Sequence, residues 1–405
     1  MIHEYPPRVR VIRIVNNSSD APPRFAEYTY YAFLFYGIMA PIWGLEIPLL
    51  NISVLAVLAV YCVLCLGPRT RTFYAPLVLP LGCGISYIAV QLAFHDEPLM
   101  GASVRNFVPW MLALIIVQWL SLRNEFLHRF ACATFVLGLV TLPYLQFRGS
   151  GGSDLVRMRL DQTIALSNPN DLGAWFGFCC VYFAIAGLET KRNAVRAVLW
   201  LAAGGCLYVV GLTVSRAPLF ATAIAIVVAL RRLLKRGFVP VLVLLILSWI
   251  IGTSGLFERI IALYATRGLE DTGRLAVWPL VIERFLSSPL IGVGDSHIAT
   301  RIPSGPWIMP HNSFLQLALG SGVVPLVFFL GWWIRAFREV FGTNVTQRPD
   351  APFRLPLLIY AFLISLQLTF LIPWMIVTLS MATGPPRRLR WVKRQDMAQY
   401  GGALE

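Results

Sequence analysis

Apolar runs close to the ~20 residues needed to cross a bilayer recur along this chain. They lie near 27–45, 49–66, 74–94, 106–122, 129–146, 171–188, 196–213, 217–233, 237–253 and 312–334. A further apolar stretch, 352–386, is too long for one helix and is interrupted by Pro373. It reads as two short antiparallel spans turning near Leu371 to Trp374, which makes twelve. Basic residues between the runs set the orientation. Arg8, Arg10 and Arg13 precede the first run, and Arg69/Arg71, Arg123/Arg129, Lys191/Arg192/Arg196, Arg231/Arg232/Lys235/Arg236 and Arg335/Arg338 fall in alternate connections. Positive charge concentrates in cytoplasmic loops, so the N-terminus is expected inside. An even span count also places Arg387, Arg388, Arg390, Lys393 and Arg394 inside, where an odd count would not. Both termini are therefore expected to be cytoplasmic.

The expected fold class is an all-α polytopic membrane protein of about twelve transmembrane helices with a small helical periplasmic cap. The domain reading is a cytoplasmic tail at 1–26, a transmembrane domain at 27–386 and a basic cytoplasmic tail at 387–405. Two outward loops are long, 147–170 and 253–311. Within the second, Leu275, Trp278, Ile282 and Phe285 recur at three- and four-residue spacing, which predicts an amphipathic helix over 273–288 that lies on the membrane surface or covers a cavity. The polar first 23 residues lack an apolar leader core, so no cleaved signal is expected.

Composition narrows the classes. Hydrophobic residues are 57% and charged residues 13% of 405, too few charges to clothe a soluble surface. The net charge of +14 comes in short runs between apolar segments, as cytoplasmic anchors do, so a nucleic-acid groove is not expected. All seven cysteines fall in apolar stretches, where packing is the expected role. The outward loops hold no H-E-x-x-H, carboxylate cluster or Walker-type glycine loop, so no metal and no cofactor is expected.

The outward side instead carries arginine without lysine, at positions that include Arg148, Arg157, Arg159, Arg216, Arg274, Arg284 and Arg301. Guanidinium binds phosphate through two parallel bonds and stays charged. Arg216 follows Ser215 in the tight link T-V-S-R-A-P; it either snorkels to headgroups or forms an anion site. Arg274, in D-T-G-R-L-A-V-W, opens the amphipathic helix, where its charge opposes the helix dipole. A phosphate between them would ease that conflict, and a salt bridge to Glu270 or Asp271 is the plainer alternative. His311 and Asn312, in P-H-N-S-F-L, stand where the chain re-enters the membrane. The histidine suits a general base or a structural hydrogen bond, while Asn312 or Ser313 can cap the new helix. Asn170 or Asp171, in S-N-P-N-D, reads first as a helix cap and second as a sugar-binding group.

S-N-P-N-D at 167–171, S-R-A at 215–217, G-R-x-x-x-W at 273–278, G-V-G at 292–294 and P-H-N-S-F-L at 310–315 together resemble the bacterial O-antigen ligase and polymerase superfamily. The resemblance covers roughly residues 160–335. It implies a glycosyltransferase of the bacterial inner membrane that moves a glycan from undecaprenyl diphosphate to an acceptor at the periplasmic face, without metal and with inversion. For a ligase the acceptor is a sugar hydroxyl of lipid A–core. The resemblance assigns Arg216 and Arg274 to the family's essential arginines and His311 to its essential histidine. Arg148, Arg157, Arg159, Asn170 and Asn312 are then expected to bind substrate. The expected partners are the lipid-linked donor, the lipid A–core acceptor and membrane lipids, with no nucleic acid, and a monomer is expected. An O-antigen or exopolysaccharide polymerase differs only in acceptor. A lipid-linked substrate transporter is the rival from another class, but transporters place ionisable groups near the bilayer midplane, and here the mid-span regions are nearly free of charge.

Overall fold

The structure, a computed structural model, describes residues 22–45, 47, 50–66, 74–99, 101–123, 125–149, 156–159, 168–234, 255, 258–267, 274–301, 307–342, 350–367 and 373–384. The expected span at 237–253, residues 1–21 of the N-terminal tail and the C-terminal tail 387–405 lie outside them, while the first helix begins at Arg24, inside the expected tail. The chain is an all-α membrane protein. Its helices are α1 (Arg24–Trp43), α2 (Leu50–Leu66), α3 (Val78–Phe94), α4 (Ala102–Leu120), α5 (Phe126–Thr141), α6 (Pro169–Glu189) and α7 (Asn193–Leu212). They continue with α8 (Arg216–Leu234), α9 (Glu258–Arg267), α10 (Arg274–Ser287), α11 (Ser313–Ser321), α12 (Val323–Phe341), α13 (Ala351–Ser365) and α14 (Pro373–Thr383). Two short 3-10 turns, Leu142–Tyr144 and Asp295–His297, and two small hairpins, β1 (Gln146–Gly149) with β2 (Val156–Arg159) and β3 (Thr300–Arg301) with β4 (Trp307–Ile308), complete the described elements.

Among the described residues, four segments are long and apolar enough to cross a membrane: Ala102–Leu120, Phe126–Tyr144, Pro169–Glu189 and Asn193–Leu212. Ile52–Cys65, Val78–Phe94 and Ala351–Ser365 are shorter apolar helices. Leu64 and Leu201 stand 75% and 76% exposed, which suits contact with lipid chains and not with water. α6 is buried almost all round, from Leu172 to Phe183, so it is the central helix of the bundle.

Side-chain contacts fix how the helices run. Gly173 of α6 packs on Thr213 and Pro218, and Gly177 packs on Thr222. A step of four along α6 matches a step of four along α8, so the two are parallel and start at the same end. Tyr360 of α13 donates its hydroxyl to the Ala174 carbonyl at 2.6 Å, while Tyr182 stacks on Phe353 at 5.0 Å. α13 is therefore antiparallel to α6. At the opposite end, Arg129 grips the buried Glu27 carboxylate through Nε at 2.6 Å and Nη2 at 3.0 Å, with Arg123 at 3.4 Å, which ties α1 to the α4–α5 turn.

The expected single span at 312–334 is two helices. Gly322 breaks it with φ 82 and ψ −164, a region open to glycine alone. α11 then folds back along α12, and the Phe314 ring lies 5.2 Å from Phe329 and 6.4 Å from Trp333. The apolar pattern runs unbroken through 320–323, so periodicity could not show the break. Phe314 also meets Phe362 of α13 at 6.1 Å, two residues beyond Tyr360 toward the end where α6 and α8 begin. The start of α11 thus lies at that same end.

A Cβ on residue 322 would fall on the Leu290 carbonyl oxygen, a backbone atom that cannot step aside. Gly322→Ala should destabilise the protein by about 2–4 kcal/mol, from backbone strain and overpacking together. Thermal unfolding in detergent measures the loss, and an unchanged melting temperature would contradict the break.

Candidate active site

The candidate residues come from four helix starts. α6 is capped by Asn168, whose side chain accepts from the Asn170 backbone N–H at 3.0 Å, with Pro169 at the first helical position as expected for a ring without N–H. The cap, expected at Asn170 or Asp171, thus stands two positions before Asn170. Neither residue is used as the cap, and Asn170 is 8% exposed in the first turn. α8 opens on Arg216 after the three-residue link Thr213–Val214–Ser215. Val214 has φ 50 and is fully buried. A β-branched residue in the left-handed region is a true outlier, costing about 1–3 kcal/mol that the surrounding packing must offset. Such strain collects at functional sites, and here it delivers Arg216 to the helix start without a longer turn. Arg216 is partly exposed.

α11 starts in a similar way. His311 has φ 47, a conformation histidine tolerates better than most residues. Asn312 caps the helix, its Oδ1 accepting from the Phe314 and Leu315 N–H groups at 3.0 and 3.2 Å, as the sequence led us to expect. That use occupies the carbonyl side of its amide. His311 itself is partly exposed.

α10 joins its motif to that of α11. Trp278 Nε1 donates to the Pro310 carbonyl at 3.1 Å, directly before His311. Arg274 lies one turn earlier on α10, at the face position four residues from Trp278. G-R-x-x-x-W and P-H-N are therefore held edge to edge. The side chains of Arg274, Arg148, Arg157 and Arg159 lie outside the described residues, but their backbone placement is informative. The hairpin register sets Arg148 directly opposite Arg157, with Arg159 opposite Gln146. Like charges facing across a strand pair are destabilising by themselves.

The buried face of α10 differs from the expected one. Val277 and Val281, with Phe285, pack on Ile298, Leu315 and Leu319 in a small separate core. Of the expected stripe Leu275, Trp278, Ile282 and Phe285, Phe285 packs on this core while Ile282 is 46% exposed, so the inner face overlaps the expected one only in part and centres on Val277 and Val281. The four-residue spacing was legible, but two apolar faces on one helix leave the choice between them open. Arg284 also leaves the phosphate-binding set. Its Nη1 donates to the Ala299 carbonyl at 2.9 Å and to Thr300 Oγ1 at 3.0 Å, and its Nη2 donates to the His297 carbonyl at 2.9 Å. It braces the loop that follows α10.

G-V-G has an equally physical role. Val293 and Gly294 donate N–H groups to the Leu319 and Gly320 carbonyls at 2.7 and 3.1 Å, and Val323 donates to the Pro289 carbonyl at 2.8 Å. The 289–294 loop thus pairs with backbone released by the Gly322 break. Gly292, at φ 68, approaches the Leu319 carbonyl too closely for any Cβ. Sequence reading missed the partners that α3 supplies here, Tyr87, Gln91 and His95. Their four-residue spacing on an otherwise apolar run was the available signal. It also missed Arg105, exposed near the start of α4.

Chemically, the site end offers helix N–H groups of α6, α8 and α11, arginine at the first residue of both α8 and α10, and an imidazole at the α11 start. Helix N-termini attract anions, and arginine strengthens that preference. Among the described residues no three His, Cys, Asp or Glu side chains gather as a metal site would require. An open apolar groove of about 640 Å³ begins at Phe314 and continues along one face of α12 through Trp333 and Phe337 to Phe341.

Residues 197–330, from α7 through α11 into α12, match the family model described as O-Antigen ligase. Comparison with curated proteins finds no match. The matched stretch contains S-R-A, G-R-x-x-x-W, G-V-G and P-H-N-S-F-L, each of which has a structural part in the arrangement above. By that match, residues 197–330 are similar to the O-antigen ligase family.

Proposed function

We propose that the protein is an O-antigen ligase that transfers a glycan from undecaprenyl diphosphate to a sugar hydroxyl of lipid A–core at the periplasmic face of the inner membrane. The observation that carries this is the Trp278–Pro310 bond, which sets the α10 start, with Arg274, beside His311. His311 takes the proton from the acceptor hydroxyl as its oxygen bonds to the anomeric carbon. The bond from that carbon to the diphosphate oxygen breaks from the other face, so the anomeric centre inverts. The electron pair leaves with the diphosphate, which Arg216, Arg274 and the helix N–H groups receive. Donors fixed where charge develops lower the barrier without reorganising, and hydrogen bonds to charged groups contribute ~1.5–3 kcal/mol each. The Arg148/Arg157/Arg159 hairpin and Asn170 hold the donor head, and the facing arginines of the hairpin gain an anion that relieves their repulsion. Asn312 shapes the acceptor side through its remaining NH₂. The aromatic groove from Phe314 takes the isoprenoid chain while the head stays at the surface.

The test is direct. Purified protein with lipid-linked glycan and lipid A–core, in chelator and without nucleotide, should yield glycan-bearing core. Lengthening of the lipid-linked glycan would identify a polymerase instead. Neither product, with donor moved across the bilayer, would identify a transporter.

A further inference from the structure

Three side chains on one face of α3, Tyr87, Gln91 and His95, reach the loop after α10 and the break before α12. Gln91 is 1% exposed and uses both ends of its amide. Oε1 accepts from the Asp295 backbone N–H at 3.0 Å. Nε2 donates to the Gly320 carbonyl at 2.6 Å and to Ser321 Oγ at 2.7 Å. One side chain therefore bridges two segments more than two dozen positions apart in sequence. Tyr87 donates its hydroxyl to Asp295 Oδ1 at 2.7 Å, and Ser321 Oγ donates to the Tyr87 carbonyl at 3.3 Å. His95 Nε2 lies 2.8 Å from the Ile291 carbonyl. A carbonyl only accepts, so that nitrogen carries the proton.

These contacts hold one end of α11. The other end is held by Trp278 at Pro310, and the face between them, Leu315 and Leu319, lies under Val277 and Val281. α11 is a stiff stub of nine residues, so displacement at Gly320 is carried to Asn312 and His311.

We propose that Gln91 is a positioning residue, assisted by Tyr87 and His95, which sets the His311 end of α11 against the α10 start. This rests on the transfer reaction proposed above. Gln91 touches no reacting atom; it acts through the helix that carries the base. A base displaced by about 1 Å can cost about 10²-fold in rate, whereas the donor contacts at α6, α8, α10 and the hairpin stay in place, so donor affinity falls far less than the rate.

The experiment pairs Gln91→Leu with Tyr87→Phe. Tyr87→Phe keeps the ring stacked on Phe107 at 4.2 Å and removes one hydrogen bond. Donor kcat and KM are measured beside backbone hydrogen exchange over 291–295. Gln91→Leu should lower kcat about 10²-fold with a much smaller change in donor KM, and Tyr87→Phe about tenfold. In both, Val293, Gly294 and Asp295 should exchange faster. Normal kcat in a folded variant overturns the proposal, whether or not protection is lost. Should Gln91→Leu fail to fold, Tyr87→Phe decides in the same way. If the wild-type protein transfers no glycan, the transfer reading fails by itself; exchange at 291–295 still tests the clamp, and unchanged protection in Gln91→Leu overturns it.

Discussion

His311→Ala should abolish measurable glycan transfer while leaving donor binding intact. A positioned base contributes ~10²–10⁴-fold, and the upper part of that range is expected here. The acceptor hydroxyl is a poor nucleophile with its proton in place, and the described residues show no second imidazole at the start of α11. The φ of 47 at His311 sharpens the expectation. The backbone is held in a conformation that histidine accepts and most residues resist, with Pro310 fixed on one side by Trp278 and Asn312 spent as the cap on the other. The imidazole therefore projects from a defined point. Alanine there also incurs some backbone strain, so a modest fall in melting temperature is expected alongside the loss of rate. His311→Asn, which tolerates the same φ, separates the two effects. It should restore the melting temperature and not the rate. Steady-state kinetics with a quantified donor-binding assay check this, and transfer at wild-type rate in either variant would remove His311 as the base.

Arg216→Ala should lose both donor binding and transfer. Arg216 is the first residue of α8, where helix N–H groups already favour an anion, and Val214 is strained at its side. Removing the guanidinium takes away a charge-assisted pair worth ~1.5–3 kcal/mol in the ground state, and more as charge builds on the leaving diphosphate. A 10- to 100-fold weaker donor Kd and a fall in kcat/KM of at least about 10³-fold are expected. Lysine should recover only part, because a point charge does not reproduce the two-pronged bond. Isothermal titration with undecaprenyl diphosphate checks the binding half. Unchanged affinity in Arg216→Ala would mean that this arginine addresses bulk headgroups.

How much of this was legible beforehand depends on the kind of signal. Helix positions came through well where a polar or glycine-bearing link interrupts an apolar run, as at Thr213–Ser215 between α7 and α8. They failed where the run continues through a break, as at Gly322, because hydrophobicity is blind to a single left-handed residue. The inner face of α10 was misplaced for a related reason. Ile282 is as apolar as Val281, and only the tertiary partner, the Leu315–Leu319 face of α11, selects between them. Asn312 as a cap was readable from local chemistry alone. Asn168 was overlooked because the cap stands before Pro169, two positions ahead of the pair with the more conspicuous side chains. Arg284 counted as one outward arginine among several, and nothing local distinguishes a guanidinium that braces carbonyls from one that binds phosphate. Gln91 and Tyr87 lie more than 200 positions from Asp295, and a single sequence holds no trace of that distance. The motifs themselves could be recognised, but the reason for them could not. Trp278 is present to hold Pro310, and the glycines of G-V-G permit backbone pairing with a broken helix.

The central claim is that the starts of α8, α10 and α11 form one site for a departing lipid diphosphate beside an imidazole. A cryo-electron microscopy structure of His311→Ala with the intact lipid-linked donor tests it most directly, since that variant should bind and not turn over. Diphosphate density is expected against Arg216 and Arg274, with the isoprenoid chain entering the groove at Phe314. Density for the diphosphate at the Glu27–Arg129 end of the bundle, or against Arg216 with α10 turned away from it, would contradict the account.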